Sequence, residues 1–164
     1  MRHLGRPPLW MSDAHPTVTI LSADWAQRVG QGPDFRRVPR RQAREVRVTT
    51  LDELIRRFGE PDFAKIDVEG LEAEALAGLT RPLRALSFEY LAATRDRALA
   101  CVDRLEALGD YRYNWSPGEN HRLGAARWLD AAGIRTHLAG LCDGSGDVCA
   151  WRADAAGSAG IAGL

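Results

Sequence analysis

The chain has 164 residues, enough for one domain, or part of one, with a real core. Its 22 basic and 22 acidic residues cancel, which excludes a general polyanion binder while leaving room for a local basic patch. The composition is that of a soluble globular protein, and no apolar run approaches the roughly 18 residues of a membrane span.

The opening residues lack the apolar core of a secretory leader, so a cytoplasmic protein is expected. Cys101, Cys142 and Cys149 are odd in number and fit no zinc spacing, which points to reduced thiols. Residues 1–16 show no clear period. The β-branched run "TVTIL" (17–21) suggests a strand, with a short helix capped by Ser22 after it. From Gly30 to Arg44 the chain reads as a loop rich in arginine. Without interleaved aromatic residues it reads as a solvated loop, not a nucleic-acid patch.

From residue 46 the signals sharpen. "VRVTT" alternates as a strand does, and Thr50 and Glu53 then have the spacing of a capping box. Leu51, Leu54, Ile55 and Phe58 form one apolar stripe of a helix that Gly59 and Pro61 terminate. A strand over about 62–68 leads to a helix over about 70–79, with Leu71, Ala75, Leu76 and Leu79 inward. "RPLRALSFEY" gives a second strand, with Leu86, Phe88 and Tyr90 on one face. Strand, helix and strand within about thirty residues make a βαβ unit with a parallel pair. A helix over about 94–108 follows, burying Ala98, Cys101, Val102, Leu105 and Leu108. Then come a strand at "YRYNW", a turn at "SPGE", a helix containing Trp128 and Leu129, and a last strand at "DVCAWRA". Alternating strands and helices predict an open α/β sheet with helices on both faces.

In such sheets ligands bind at the carboxyl ends of the strands. Asp67 and Glu69 fall at the end of the first strand of the βαβ unit and Glu89 near the end of the second, so three acids converge on one rim. Held there, a carboxylate can orient a hydroxyl, take its proton, or help bind a divalent ion. Glu72 is better read as a helix N-terminal acid. Lys65, the only lysine, lies mid-strand and is expected to reach the sheet edge or pair with Glu89. The segment 111–121 gathers three aromatics. It is either an acceptor pocket wall, with Asn114, Trp115, Ser116 and Glu119, or a hairpin with ordinary aromatic packing. His121 reads as a surface residue. No glycine-rich phosphate loop, nucleophile elbow or metal-spaced histidine pair occurs.

The stretch "VTTLDELIRRFGEPDFAKIDVEGLEAEALAGL" with "ALSFEY" after it resembles the hallmark of FkbM-type methyltransferases. The resemblance is densest over residues 46–90 and extends more loosely from about Leu9 to Trp151. It implies a Rossmann-like class I fold that transfers a methyl group from S-adenosylmethionine to a hydroxyl of a small-molecule, sugar or lipid acceptor. On it, Asp67 and Glu69 are the catalytic candidates, and Glu89, Asn114, Trp115, Ser116 and Glu119 the acceptor-side ones. No residue is assigned to the donor or to a metal. The resemblance also implies an incomplete sheet, about strands four to seven. Residues 1–45 then form an N-terminal segment, 46–152 the carboxyl-terminal half of the domain, and 153–164 a flexible tail. A donor-binding half would come from upstream or from a partner chain. The alternative is a non-catalytic binding module or remnant of such an enzyme.

Overall fold

A computed structural model of the chain describes residues 8–12, 19–20, 40–45 and 48–155. Strands β1 (Pro8–Ser12), β2 (Thr19–Ile20) and β3 (Arg40–Glu45) form a small antiparallel sheet in the order β2-β1-β3. The arginine-rich segment expected as a loop thus ends in a strand. The expected helix after Ser22 lies outside the described residues.

Helix α1 (Leu51–Phe58) starts as its sequence predicts. Thr50 Oγ1 accepts from the Glu53 amide at 3.2 Å, satisfying one of the orphan donors of the first turn. The reciprocal half of the box does not form, because the Glu53 carboxylate pairs with Arg56. Gly59, at φ 92°, closes the helix with its amide on the Ile55 carbonyl. Of the apolar stripe only Leu51 and Ile55 pack against the core. Leu54 and Phe58 stay exposed, Phe58 at 72%. Residues 48–50, read as the end of a strand, are irregular.

The main sheet contains β4 (Ala64–Ile66), β5 (Ala85–Leu91), β6 (Tyr111–Pro117) and β7 (Ser145–Arg152) in the order β4-β5-β7-β6. β4 and β5 are parallel, joined through α2 (Glu72–Ala77), as the βαβ reading requires. β7 inserts antiparallel between β5 and β6. Register puts Ile66, Phe88, Val148 and Trp115 in one row of one face, with Leu86, Ala150 and Tyr113 in the next. That face carries the core. Against it pack Leu76 and Leu79, the 14-residue α3 (Arg95–Leu108) through Cys101, Val102 and Leu105, and α4 (Ala131–Ala139) through Ile134 and Leu138. Among the described residues the helices cover this face alone, not both faces. The opposite face carries Lys65, Ser87, Glu89, Asp147, Cys149 and Asn114.

The two sheet edges differ. The outer edge of β6 is closed by its own following loop, where Tyr113 and Leu129 exchange backbone hydrogen bonds of 2.8 and 2.7 Å. The Gly124 amide donates to the Trp115 carbonyl at 2.7 Å. This is why Trp128 and Leu129 are not helical: the chain here hydrogen-bonds sideways, and α4 begins only after the Asp130 cap, whose carboxylate accepts from the Gly133 amide. At the other edge β4 has no strand neighbour besides β5 among the described residues. After β7, Ala153–Ala155 form a 3-10 turn at the start of the expected tail.

Candidate functional site

The corner between β4 and α2 is built by backbone accounting. After Ile66 the chain must leave the sheet and enter a helix, which leaves several amides unpaired. The buried Glu72 carboxylate supplies the acceptor, taking the Val68 amide at 3.2 Å and the Gly70 amide at 3.1 Å through one oxygen. Arg97 of α3 donates to the Gly70 carbonyl from below. So clamped, the corner holds Glu69 at φ 53° and Gly70 at φ 92°. Gly70 adopts that backbone freely, whereas a glutamate does so only when its surroundings impose it. Glu72 is therefore the corner's internal brace, more than a dipole partner.

The rim that results gathers the acids expected there. Asp67 stands just past the end of β4 and is exposed, while Glu69 and Glu89 are half-buried. Asp147 lies directly across from Glu89 in the β5–β7 register. Sequence reasoning missed Asp147, because only the insertion of β7 beside β5 brings it to this rim. Burial pushes the Glu69 carboxyl up to about 7, helped by Asp67 and Glu72. Burial likewise pushes Glu89 up to about 8, with Glu69, Asp67, Glu72 and Asp147 adding repulsion. Neither carboxyl has a hydrogen-bond or ion-pair partner among the described residues.

Lys65 does not pair with Glu89. Its Nζ donates to both Asp147 oxygens, at 3.0 and 3.1 Å, and lies 3.6 Å from Asp67 Oδ2. Burial opposes its charge, but the Asp147 carboxylate outweighs that and holds the ammonium above its usual range. Among the described residues no group of histidine, cysteine and acidic side chains has the arrangement of a metal site.

The residues of the aromatic segment are placed differently. The Asn114 amide is committed to the loop: Oδ1 accepts from the amides of Trp115 and Ala125, and Nδ2 donates to the Ala125 carbonyl. Ser116 donates to Asn120, the Trp115 indole stacks on His137 at 3.8 Å between centroids, and Glu119 is exposed on the turn. Asn114 also borders a cavity of about 690 Å³, within the size range of ligand sites, between the sheet and residues 121–128. Trp128, Trp151, Phe63 and Cys149 line it, and His121, exposed as expected, stands at its border. The cavity lies toward the amino-terminal end of β5, one cross-strand row away from the Glu89–Asp147 pair.

A parallel pair with acids at its carboxyl ends, in an open sheet joined through a helix, is the arrangement of α/β ligand-binding domains. The chain belongs to the FkbM methyltransferase family, since the family described as the methyltransferase FkbM domain matches residues 15–108, more than half of it. The match is narrower than the Leu9–Trp151 span suggested by the motifs. Lys65, Asp67, Glu69 and Glu89 fall inside it. Asn114, Trp115, Ser116, Glu119 and Asp147 fall outside it. No curated protein and no solved structure matches the chain.

Proposed function

We propose that the rim of Asp67, Glu69 and Glu89 handles the proton of a hydroxyl acceptor in methyl transfer from S-adenosylmethionine. The observation that carries this reading is the pair of half-buried carboxyls, without partners among the described residues, at the strand ends of a methyltransferase-family domain. S-adenosylmethionine, when bound, supplies a methyl group carried on a positively charged sulfur. The rim fits that charge, since its carboxylates outnumber its one ammonium, and Asp67 is the exposed member that would face it. The rest of the donor is assigned to no residue of this chain.

A hydroxyl that gains a methyl group must lose its proton, and a base is most effective when its affinity lies near the working pH. Glu89, at about 8, and Glu69, at about 7, meet that condition without a histidine. Asp67 orients the hydroxyl between them, and the cavity beside Asn114 offers room for the rest of the acceptor. The test is transfer of labelled methyl from S-adenosylmethionine to a glycoside, a long-chain alcohol and a phenol. Transfer is expected to rise with pH as Glu89 ionises and to fall by about 100-fold in Glu89→Gln. If neither donor binding by calorimetry nor transfer to any of the three occurs, the reading is wrong.

A further inference from the structure

Lys65 passes over a nearer acid to reach a farther one. It stands beside Ser87 in the β4–β5 register, and Glu89 is two residues along on that adjacent strand. Backbone spacing puts such a diagonal neighbour about 8 Å away. Asp147 is one strand farther, about 12 Å from Lys65 by the same spacings, yet it takes the ammonium with both oxygens. Asp67 takes the other side of that ammonium at 3.6 Å. Glu89, lying between, is left without a counter-charge among the described residues. Among the described residues the groups facing it are Lys65 from β4, Asp67, Glu69 and Glu72 from the corner that follows, and Asp147 from β7. The neighbour in its row on β6 is the uncharged Ser116, and α3 covers the opposite face.

We infer that Asp147 is a positioning residue: by anchoring Lys65 across β5 it keeps the ammonium off Glu89 and so preserves Glu89 as the rim's proton acceptor. The inference rests on the proton-handling role proposed above. An ammonium on Glu89 would hold it ionised at any working pH and leave a carboxylate too weakly basic to draw a hydroxyl proton. Asp147 thus acts twice in one direction, once by its own negative charge and once by withholding Lys65.

The experiment is a pH titration of the full chain, isotopically labelled at the glutamate side-chain carboxyl carbon. The Glu89 signal is identified by its loss in Glu89→Gln, and no donor or acceptor is added. In Asp147→Asn, Lys65 is released to Glu89, and the Glu89 midpoint is expected to fall by about one to two pH units. In Lys65→Met/Asp147→Asn no ammonium is left to reach Glu89, only the loss of the Asp147 charge can lower the midpoint, and the fall is expected to be at most half as large. A fall of equal size in both, or no fall in either, overturns the inference. Lys65→Met alone decides the matter should Asp147→Asn fail to fold. Its Glu89 midpoint is expected to stay within about half a unit of the parent, since Lys65 does not neutralise Glu89. A rise of a full unit or more would mean that Lys65 already pairs with Glu89. Absent methyl transfer with the expected midpoints counts against the proposed function alone, and normal transfer with unshifted midpoints counts against the role of Asp147.

Discussion

Glu89 and Glu69 are stored in the fold at a cost that depends on pH. Each has a folded-state affinity above the usual glutamate value of 4.5, so the folded chain binds more protons than the unfolded one across the interval between. The sign follows: their contribution is fully present below about 4.5 and is lost as pH rises through about 7 for Glu69 and about 8 for Glu89. The melting temperature is therefore expected to drop between pH 6 and pH 9, and Glu89→Gln should remove much of that drop. Calorimetric scans at the two pH values check it, and an undiminished drop in the variant would argue that other groups dominate. Glu69 carries a second burden, its left-handed backbone. Glu69→Gly should relieve both, raising stability by up to about 1 kcal/mol while lowering methyl transfer. Equilibrium denaturation beside a transfer assay reads the two effects separately.

At the scale of elements, two joints carry more than their size suggests. The Glu72 carboxylate braces the β4–α2 corner through the Val68 and Gly70 amides, so Glu72→Ala leaves two amides without an acceptor. It should cost about 3 kcal/mol, and Glu72→Gln, which keeps an oxygen in place, distinctly less. Urea midpoints of the two variants provide the comparison. At Gly146 a methyl group would stand 2.2 Å from the Ser116 carbonyl oxygen and 2.9 Å from the Tyr90 hydroxyl. Gly146→Ala must therefore spread β5, β7 and β6 where they meet, and a loss of about 3 kcal/mol in denaturant unfolding is expected. The elements themselves were largely legible in the sequence when their signal was local. Thr50, with Glu53 three residues on, announces the α1 cap, and the spacing of Ala98, Cys101, Val102 and Leu105 spells out α3. Trp128 and Leu129 misled because an apolar pair reads alike in a helix or a loop, and only the bond to Tyr113 decides.

At the scale of the whole molecule, what the sequence concealed was adjacency. The three acids of the rim were visible, because a βαβ unit places its own strand ends together. The bond from Lys65 to Asp147 spans 82 residues and exists only because β7 enters the middle of the sheet. Glu89, although much closer in sequence, was the natural guess and the wrong one. The helices' coverage of one face was equally hidden, since the apolar periodicity of α3 and α4 says which side of each helix is buried, not which side of the sheet receives it. No helix among the described residues is long and apolar enough to cross a membrane.

The position of β7 also sets a timetable. β5 pairs with β7 over its whole length, from Ala85 with Trp151 to Leu91 with Ser145, and among the described residues β6 has no strand partner except β7. During synthesis, then, the βαβ unit and the β6 segment are expected to lack a common sheet until residues 145–152 have been made. The topology predicts that the sheet closes when β7 arrives, not by growth outward from the family motif. A chain stopped at residue 144 should lack near-ultraviolet circular dichroism and cooperative unfolding, although every acid of the βαβ rim is still present. Adding a synthetic peptide of residues 145–152 in excess should restore part of both signals. If the shortened chain melts cooperatively by itself, the motif half is an autonomous folding unit and the timetable is wrong.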